Sequence, residues 1–194
     1  MATRRMGPAN ASVRYKLLDA AERVLERDGY PAVTSRNVGK EAGVDQKLVF
    51  YYFQNMEELV VATFRRRSET FLATLEGIAS SRSPLRQLWE LSSDRSGRLV
   101  IEFMAMATRN AALRQEVARY SARANEILLP TLAAVVQEAN LDPRIISPEL
   151  LNFAIAALAR NLILETELGL LPDCDAISES IERVLNAVEG KQGR

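Results

Sequence analysis

The sequence predicts an all-α protein of about nine helices in two parts, a three-helix domain over residues 10–55 and a larger helical domain over 56–189. Three observations carry this expectation. Apolar residues recur at three-and-four spacing along almost the whole chain, which is the period of one helix face. Strand-type alternation is nearly absent. Residues that open helices (Ser, Thr, Asp, Asn) and glycines that close them bracket the periodic stretches. With 194 residues, 47% of them hydrophobic, the chain has ample material for a core.

The elements follow in order. Val13, Leu17, Leu18, Ala21, Val24 and Leu25 form one helical stripe, starting near Asn10 or Ser12 and stopped by Gly29, with Pro31 just beyond. Thr34 or Ser35 caps a short helix that runs to about Ala42 and ends at Gly43. Asp45 caps the next, which holds Leu48, Val49, Phe50 and Phe53. Asn55 caps a longer fourth helix, with Glu57 and Glu58 in its first turn complementing the dipole. That helix carries Leu59, Ala62, Thr63, Phe64, Phe71 and Leu75, and it links the two parts. Ser80 to Pro84 reads as a loop. Further helices are expected at about 85–94, 98–109, 113–139, 148–168 and 174–189.

The formal net charge is zero. Residues 1–67 nevertheless carry twelve Lys/Arg against eight Asp/Glu, and the rest carries thirteen against seventeen. A basic N-terminal part points to a polyanion partner there. A lone cysteine, Cys174, excludes an intrachain disulfide and fits a reducing cytoplasm. Residues 1–14 contain Arg4, Arg5 and Arg14 but no apolar core of a secretory leader. The most apolar stretch, Leu150 to Leu168, is broken by Asn152, Arg160, Asn161, Glu165 and Glu167, so no membrane partner is expected. The sequence has no histidine, which removes His-based triads, His zinc sites and the usual general base. Neither GxxxxGK[ST] nor GxGxxG occurs. No catalytic residue, metal ligand or cofactor is expected, and the chain is read as a binding protein and not an enzyme.

Thr34–Phe53 is the informative segment. Two short helices flank Ala42-Gly43-Val44, with Gly43 supplying a left-handed turn and Gly39 a close approach, and Val38, Val44, Val49 and Phe53 packing between them. The second helix then exposes Asp45, Gln46, Lys47, Leu48, Tyr51 and Tyr52. In a major groove, Gln46 can pair with adenine, Lys47 with guanine, and Leu48 can touch a thymine methyl. Tyr51, Tyr52, Arg36 and Thr34 are placed for phosphate. A plain helical hairpin with a solvated face is the alternative on spacing alone.

The stretch from about Arg14 to Thr63 resembles the TetR family of bacterial regulators. The resemblance lies in Asp28-Gly29-Tyr30, the Thr34-to-Val44 run, and Val49-Phe50-Tyr51-Tyr52-Phe53 followed by Glu57-Glu58-Leu59. It implies a helix-turn-helix that binds double-stranded operator DNA, with Arg36 as a DNA contact, Gln46, Lys47 and Leu48 in the base-reading helix, and Tyr51 and Tyr52 on phosphate or base. Two positions depart from the family pattern: Phe50 replaces a phosphate-bonding tyrosine and Met56 a phosphate-binding lysine. Arg4, Arg5 and Arg14 would compensate as a flexible basic arm.

For the C-terminal half the resemblance implies six further helices and a homodimer built from the last two, with Ala154, Ala157, Leu158, Ile181 and Leu185 at the interface. It also implies a small-molecule effector among the middle helices, near Trp89, Leu99, Phe103, Met104, Met106, Arg109, Asn110 and Tyr120. Such an effector is largely apolar, and it releases a repressor from its operator. Glu102, Asn125 and Asn161 are further polar candidates. The alternatives are a regulator without an effector, whose middle helices are simply core, and a helical protein-interaction module.

Overall fold

The computed structural model of the chain describes residues 8–94 and 97–190. Among the described residues the fold is all helical, with no strand: α1 (Pro8–Asp28), α2 (Ser35–Ala42), α3 (Lys47–Tyr52), α4 (Met56–Ala79), α5 (Pro84–Ser93), α6 (Gly97–Ala107), α7 (Ala111–Glu138), α8 (Pro148–Glu167) and α9 (Cys174–Glu189). One 3₁₀ turn, Tyr30–Ala32, joins α1 to α2. The expected helices are all present, within a residue or two at most ends. The first begins earlier than expected, at Pro8, a residue suited to a first helical turn. No described helix is long and apolar enough to cross a membrane.

Packing divides the chain into two compact units. One holds the chain through Ser68 together with Glu102–Val117, and the other holds Glu69–Ile101 and the chain from Ala118. The division by packing falls inside α4, and the C-terminal part of α6 and the start of α7 pack with the N-terminal helices.

In the first unit α1 packs on α2, and α2 on α3. Leu17, Leu18, Val24 and Leu25 of α1 are buried with Val38, Val49, Phe53 and Leu59. Phe64 of α4 meets Phe103 of α6 edge-on, with ring centroids 5.2 Å apart. A run of arginines on α4 fastens the helix to its neighbours. Arg66 pairs with Asp19 at 2.6 Å and Glu22 at 3.0 Å on α1, Arg67 also pairs with Glu22, and Arg65 pairs with buried Glu116 on α7.

In the second unit α5 is the element on which both α8 and α9 rest. Leu85, Leu88 and Trp89 of α5 are buried with Ile155 and Ala159 of α8, Leu185 of α9, and Leu128, Leu132 and Val135 of α7. The Trp89 indole N–H lies in this core and meets no acceptor among the described residues. Ser83, at the N-cap of α5, makes no side-chain cap. Glu189 does so from the end of α9, its carboxylate accepting the Leu85 N–H. The contact closes a helix terminus with a residue 104 positions away in sequence.

Burial pushes the Glu189 carboxyl above its ordinary range, and this outweighs the N–H groups of Leu85 and Arg86, which act the other way. The folded state thus holds this proton more tightly than the unfolded chain, so the stability it confers is greatest below the unfolded value of about 4.3. That stability is lost as pH rises through the raised folded value. Glu189→Gln keeps an acceptor for Leu85 and cannot titrate. Its stability relative to wild type, read from thermal melts between about pH 4 and pH 8, should rise with pH. A pH-independent difference would show that burial does not govern this carboxyl.

Candidate nucleic-acid interface and ligand cleft

The α2–α3 pair is built by local chemistry at each end. Thr34 Oγ1 accepts the Asn37 N–H at 3.2 Å, and Asn37 Nδ2 donates to the Ala32 carbonyl at 2.9 Å. Gly43 closes α2 at φ 67°, a left-handed conformation that a Cβ disfavours. Asp45 Oδ1 accepts the Lys47 N–H at 2.8 Å at the start of α3. Past its end, Asn55 Oδ1 accepts the Glu58 N–H at 2.8 Å, and Glu58 Oε2 accepts the Gln54 N–H at 2.7 Å. The first bond satisfies an N–H that the start of α4 would otherwise leave open, and the second ties down the residue before the cap.

The buried side of α3 is Val49, continued by Phe53. Its outward side carries Gln46, Lys47, Phe50 and Tyr51, all exposed, with Leu48 and Tyr52 half-buried at the flank. Tyr51 and Tyr52 meet edge-on at 4.9 Å. Arg36 projects from the first turn of α2, exposed and without a partner among the described residues. Thr34 is exposed, with its hydroxyl oxygen engaged as the α2 cap. Arg36, Gln46, Lys47 and Tyr51 are thus each exposed on the α2–α3 pair.

Phe50, which the resemblance sets at a phosphate-facing position and which was not among the expected packing residues, is 53% exposed as well. The signal was available: with Val49 and Phe53 four residues apart on the buried side, residue 50 turns about 100° away from Val49. The flexible-arm reading needs correction at Arg14. That residue lies within α1, its guanidinium 5.1 Å from the centroid of the Phe53 ring, where stacking holds it. Arg4 and Arg5 lie outside the described residues.

A second feature of the same unit is a cleft of about 610 Å³. One wall is the 3₁₀ turn, with Tyr30 and Pro31, and the first turns of α4, with Glu57 and Val60. The other is the end of α6 and the turn after it, including Glu102, Met106, Arg109 and Asn110, with Leu113 beyond. Three of the eight expected pocket residues therefore come together: Met106, Arg109 and Asn110. Asn110 also caps α7, its Oδ1 accepting the Leu113 N–H at 2.9 Å. The other five do not line this cleft. Trp89, Leu99 and Phe103 are buried core, Met104 is exposed, and Tyr120 stands edge-on to Phe71 at 6.1 Å. Of the remaining polar candidates, Asn125 accepts from Asn152 and Asn161 donates to Glu165.

On α8 the expected interface residues Ala154 and Ala157 are half-buried and Leu158 is exposed. With Leu150, Phe153, Leu164 and Leu168 they make an apolar face turned away from Ile155 and Ala159. On α9, Ile177 and Val184 are exposed and Ile181 is half-buried. Leu185 is a correction: it packs into its own unit beside Trp89, because α9 presents that side to α5.

Residues 17–63 match the family described as bacterial regulatory proteins, tetR family. The chain is 28% identical over 61 residues to the fatty acid metabolism regulator protein of Bacillus subtilis, covering 31% of each. It is 28% identical over 132 residues to the transcriptional regulator BetI of Rhizobium meliloti, covering 63% of this chain and 65% of that one. The chain thus spans less than two thirds of the length of either relative. In fold it is similar to the transcriptional regulator FadR of Bacillus subtilis, solved in complex with stearoyl-CoA. There the TM-score is 0.64 at 21% identity, over 88% of this chain and 96% of that one.

The packing of α3 on α2 turns on Gly39. A Cβ at that position would stand 2.9 Å from Gln46 Cα and 3.1 Å from both Gln46 N and Val44 O, all backbone atoms. Gly39→Ala must therefore displace α3, outweighing the ~1 kcal/mol of helix propensity it gains. A net loss of about 1–3 kcal/mol is expected in denaturant titrations. A more stable Gly39→Ala protein would mean that the helices can part without strain.

Proposed function

We infer, for a chain that belongs to the TetR family of bacterial regulatory proteins, that it is a sequence-specific DNA-binding transcriptional regulator. In this reading it acts as a homodimeric repressor released from its operator by a small ligand. The observation that carries the reading is the outward face of α3, where Gln46, Lys47, Phe50 and Tyr51 stand exposed on a helix whose other side is locked into the core. Residues 10–55 serve DNA binding and 56–189 pairing and most of the ligand cleft, to which Tyr30 and Pro31 of the first part add a wall. No reaction is assigned to the protein. A DNA partner places its work in the cytoplasm.

In the major groove, Gln46 and Lys47 at the start of α3 read base edges. Arg36 and Tyr51 neutralise or bond phosphates, with Thr34 and Tyr52 beside them. Leu48, half-buried, touches a base only where the groove closes over the flank of the helix. The exposed Phe50 ring has no hydroxyl for phosphate and adds apolar surface. The effector site is the cleft lined by Met106, Arg109 and Asn110. It reaches the reading head through Glu57 and Val60 on the turns of α4 next to α3.

A helix-turn-helix protein of this kind meets successive major grooves with two copies, about 34–36 Å apart. The apolar face of α8, from Leu150 through Phe153, Ala157 and Leu164 to Leu168, together with Ile177 and Val184 of α9, supports pairing with a second copy. Faces of this extent are rarely left in water.

Two outcomes test this function. In DNA selected from a random pool, Arg36→Ala and Tyr51→Ala should weaken binding to all sequences alike. Gln46→Ala and Lys47→Ala should relax preference at particular positions, by about 1–3 kcal/mol each. Unchanged affinity in all four would remove α3 as the reader. In sedimentation, Ala157→Asp should give folded monomer with weakened operator binding, since a charge buried without a partner is costly. Leu185→Asp should instead lower thermal stability. A wild-type monomer at micromolar concentration would overturn the dimer.

A further inference from the structure

The acidic side chains of the first unit are almost all engaged. Arg66 holds Asp19 and Glu22, Arg27 holds Asp28 and Glu41, Arg65 holds Glu116, and backbone N–H groups hold Asp45 and Glu58. Three acidic residues have no partner among the described residues: Glu26, Glu57 and Glu102. The last two face the same cleft. Glu102 is half-buried, so part of its hydration is gone and nothing among the described residues replaces it. Arg109 lines the cleft as well, yet it makes no ion pair with either carboxylate. Most of the remaining lining is apolar, Tyr30, Pro31, Val60, Ala105, Met106 and Leu113, with Thr108 and Asn110 as its neutral polar groups. A carboxylate with an unmet demand for a cation, set among an aromatic ring and a methionine, is a recognisable arrangement. It suits a charge carried on an apolar body.

We propose that this cleft binds a small organic cation, an amine with an apolar body, whose ammonium group is held by Glu102 and Glu57. The proposal rests on the reading of the protein as a ligand-released regulator and gives the effector its charge class. The ammonium donates to Glu102 and Glu57, and the apolar body lies against Met106, Val60 and Leu113. Arg109 repels the ligand's charge and limits the affinity. The position gives the ligand purchase on DNA binding. Glu57 and Val60 sit on the turns of α4 that carry the Glu58 cap, and only Phe53, Gln54 and Asn55 separate α4 from α3. By reciprocity, an amine that lowers DNA affinity has its own affinity lowered by DNA to the same degree.

The test uses the full chain and a matched pair of probes, 3-phenylpropylamine, protonated at neutral pH, and the uncharged 3-phenylpropanol. Binding is measured by titration calorimetry without DNA, and its place by the NMR shift of the Met106 methyl group. The amine should bind about tenfold more tightly than the alcohol, which is the scale of one hydrogen bond to a charged group. Glu102→Gln should remove that advantage while leaving alcohol binding and the Met106 shift intact, which also shows that the cleft has kept its shape. Arg109→Ala should tighten the amine by about two- to fivefold, as a repulsion at a partly exposed site allows. Equal binding of the two probes, an amine advantage that survives Glu102→Gln, or a shift that spares Met106 each overturns the proposal. Adding the amine to the protein–DNA complex tests the coupling separately. Failure of the DNA-binding reading would appear as no operator binding without amine. Failure of the effector assignment would appear as operator binding that saturating amine leaves unchanged.

Discussion

The near-contact of two backbones at Gly39 is the constraint on which the N-terminal unit is organised. With no Cβ there, the start of α3 approaches α2 so closely that Gln46 Cα lies where an alanine methyl would intrude. That approach buries Val49 and Phe53 and so decides which side of α3 faces water. Gly43 turns the chain between the helices, and the capping hydrogen bonds of Thr34, Asp45 and Asn55 hold their ends. None of these contacts is large. They agree with one another, and it is their agreement that gives the short helix a single orientation.

Much of this was legible in the sequence because it is local. Helix bounds followed from capping residues and glycines, and the buried side of each helix from three-and-four spacing. The close approach at Gly39 could be inferred from an otherwise unfavourable glycine inside a helix. What was not legible is where one helix lies against another. Trp89, Met104 and Met106 look alike as pocket candidates, yet one is core, one is exposed and one lines a cleft. Leu185 and Val184 are neighbours on an apolar helix, and only packing against α5 decides which is buried. The Glu189 cap on α5 is likewise beyond local reading. Nothing near Ser83 announces that the Leu85 N–H donates to a carboxylate from the far end of α9.

The second unit is arranged around α5 in a way that bears on pairing. Because α8 and α9 each rest on α5, their other faces are left over. On α8 the exposed residues include Leu150, Phe153, Leu158 and Leu164, with Leu168 just past its end, where helices that face water usually carry charge. In the proposed dimer the same helices serve two cores, one within the subunit and one between copies. This explains why the stripes on α8 and α9 are too wide for a helix with a single buried side.

The brevity of α3 has a consequence for the proposed encounter with DNA. A helix of six residues is far below the length at which a peptide holds helical form in water. Here it is ordered in advance, by the Asp45 oxygen at its start, the Asn55–Glu58 pair beyond its end, and the anchoring of Val49 and Phe53. The conformational entropy of the reading surface has therefore been surrendered during folding. Association need not pay it again. The groove meets a rigid edge, and the free energy released by each contact goes into affinity and discrimination, with little diverted to ordering the backbone that makes it.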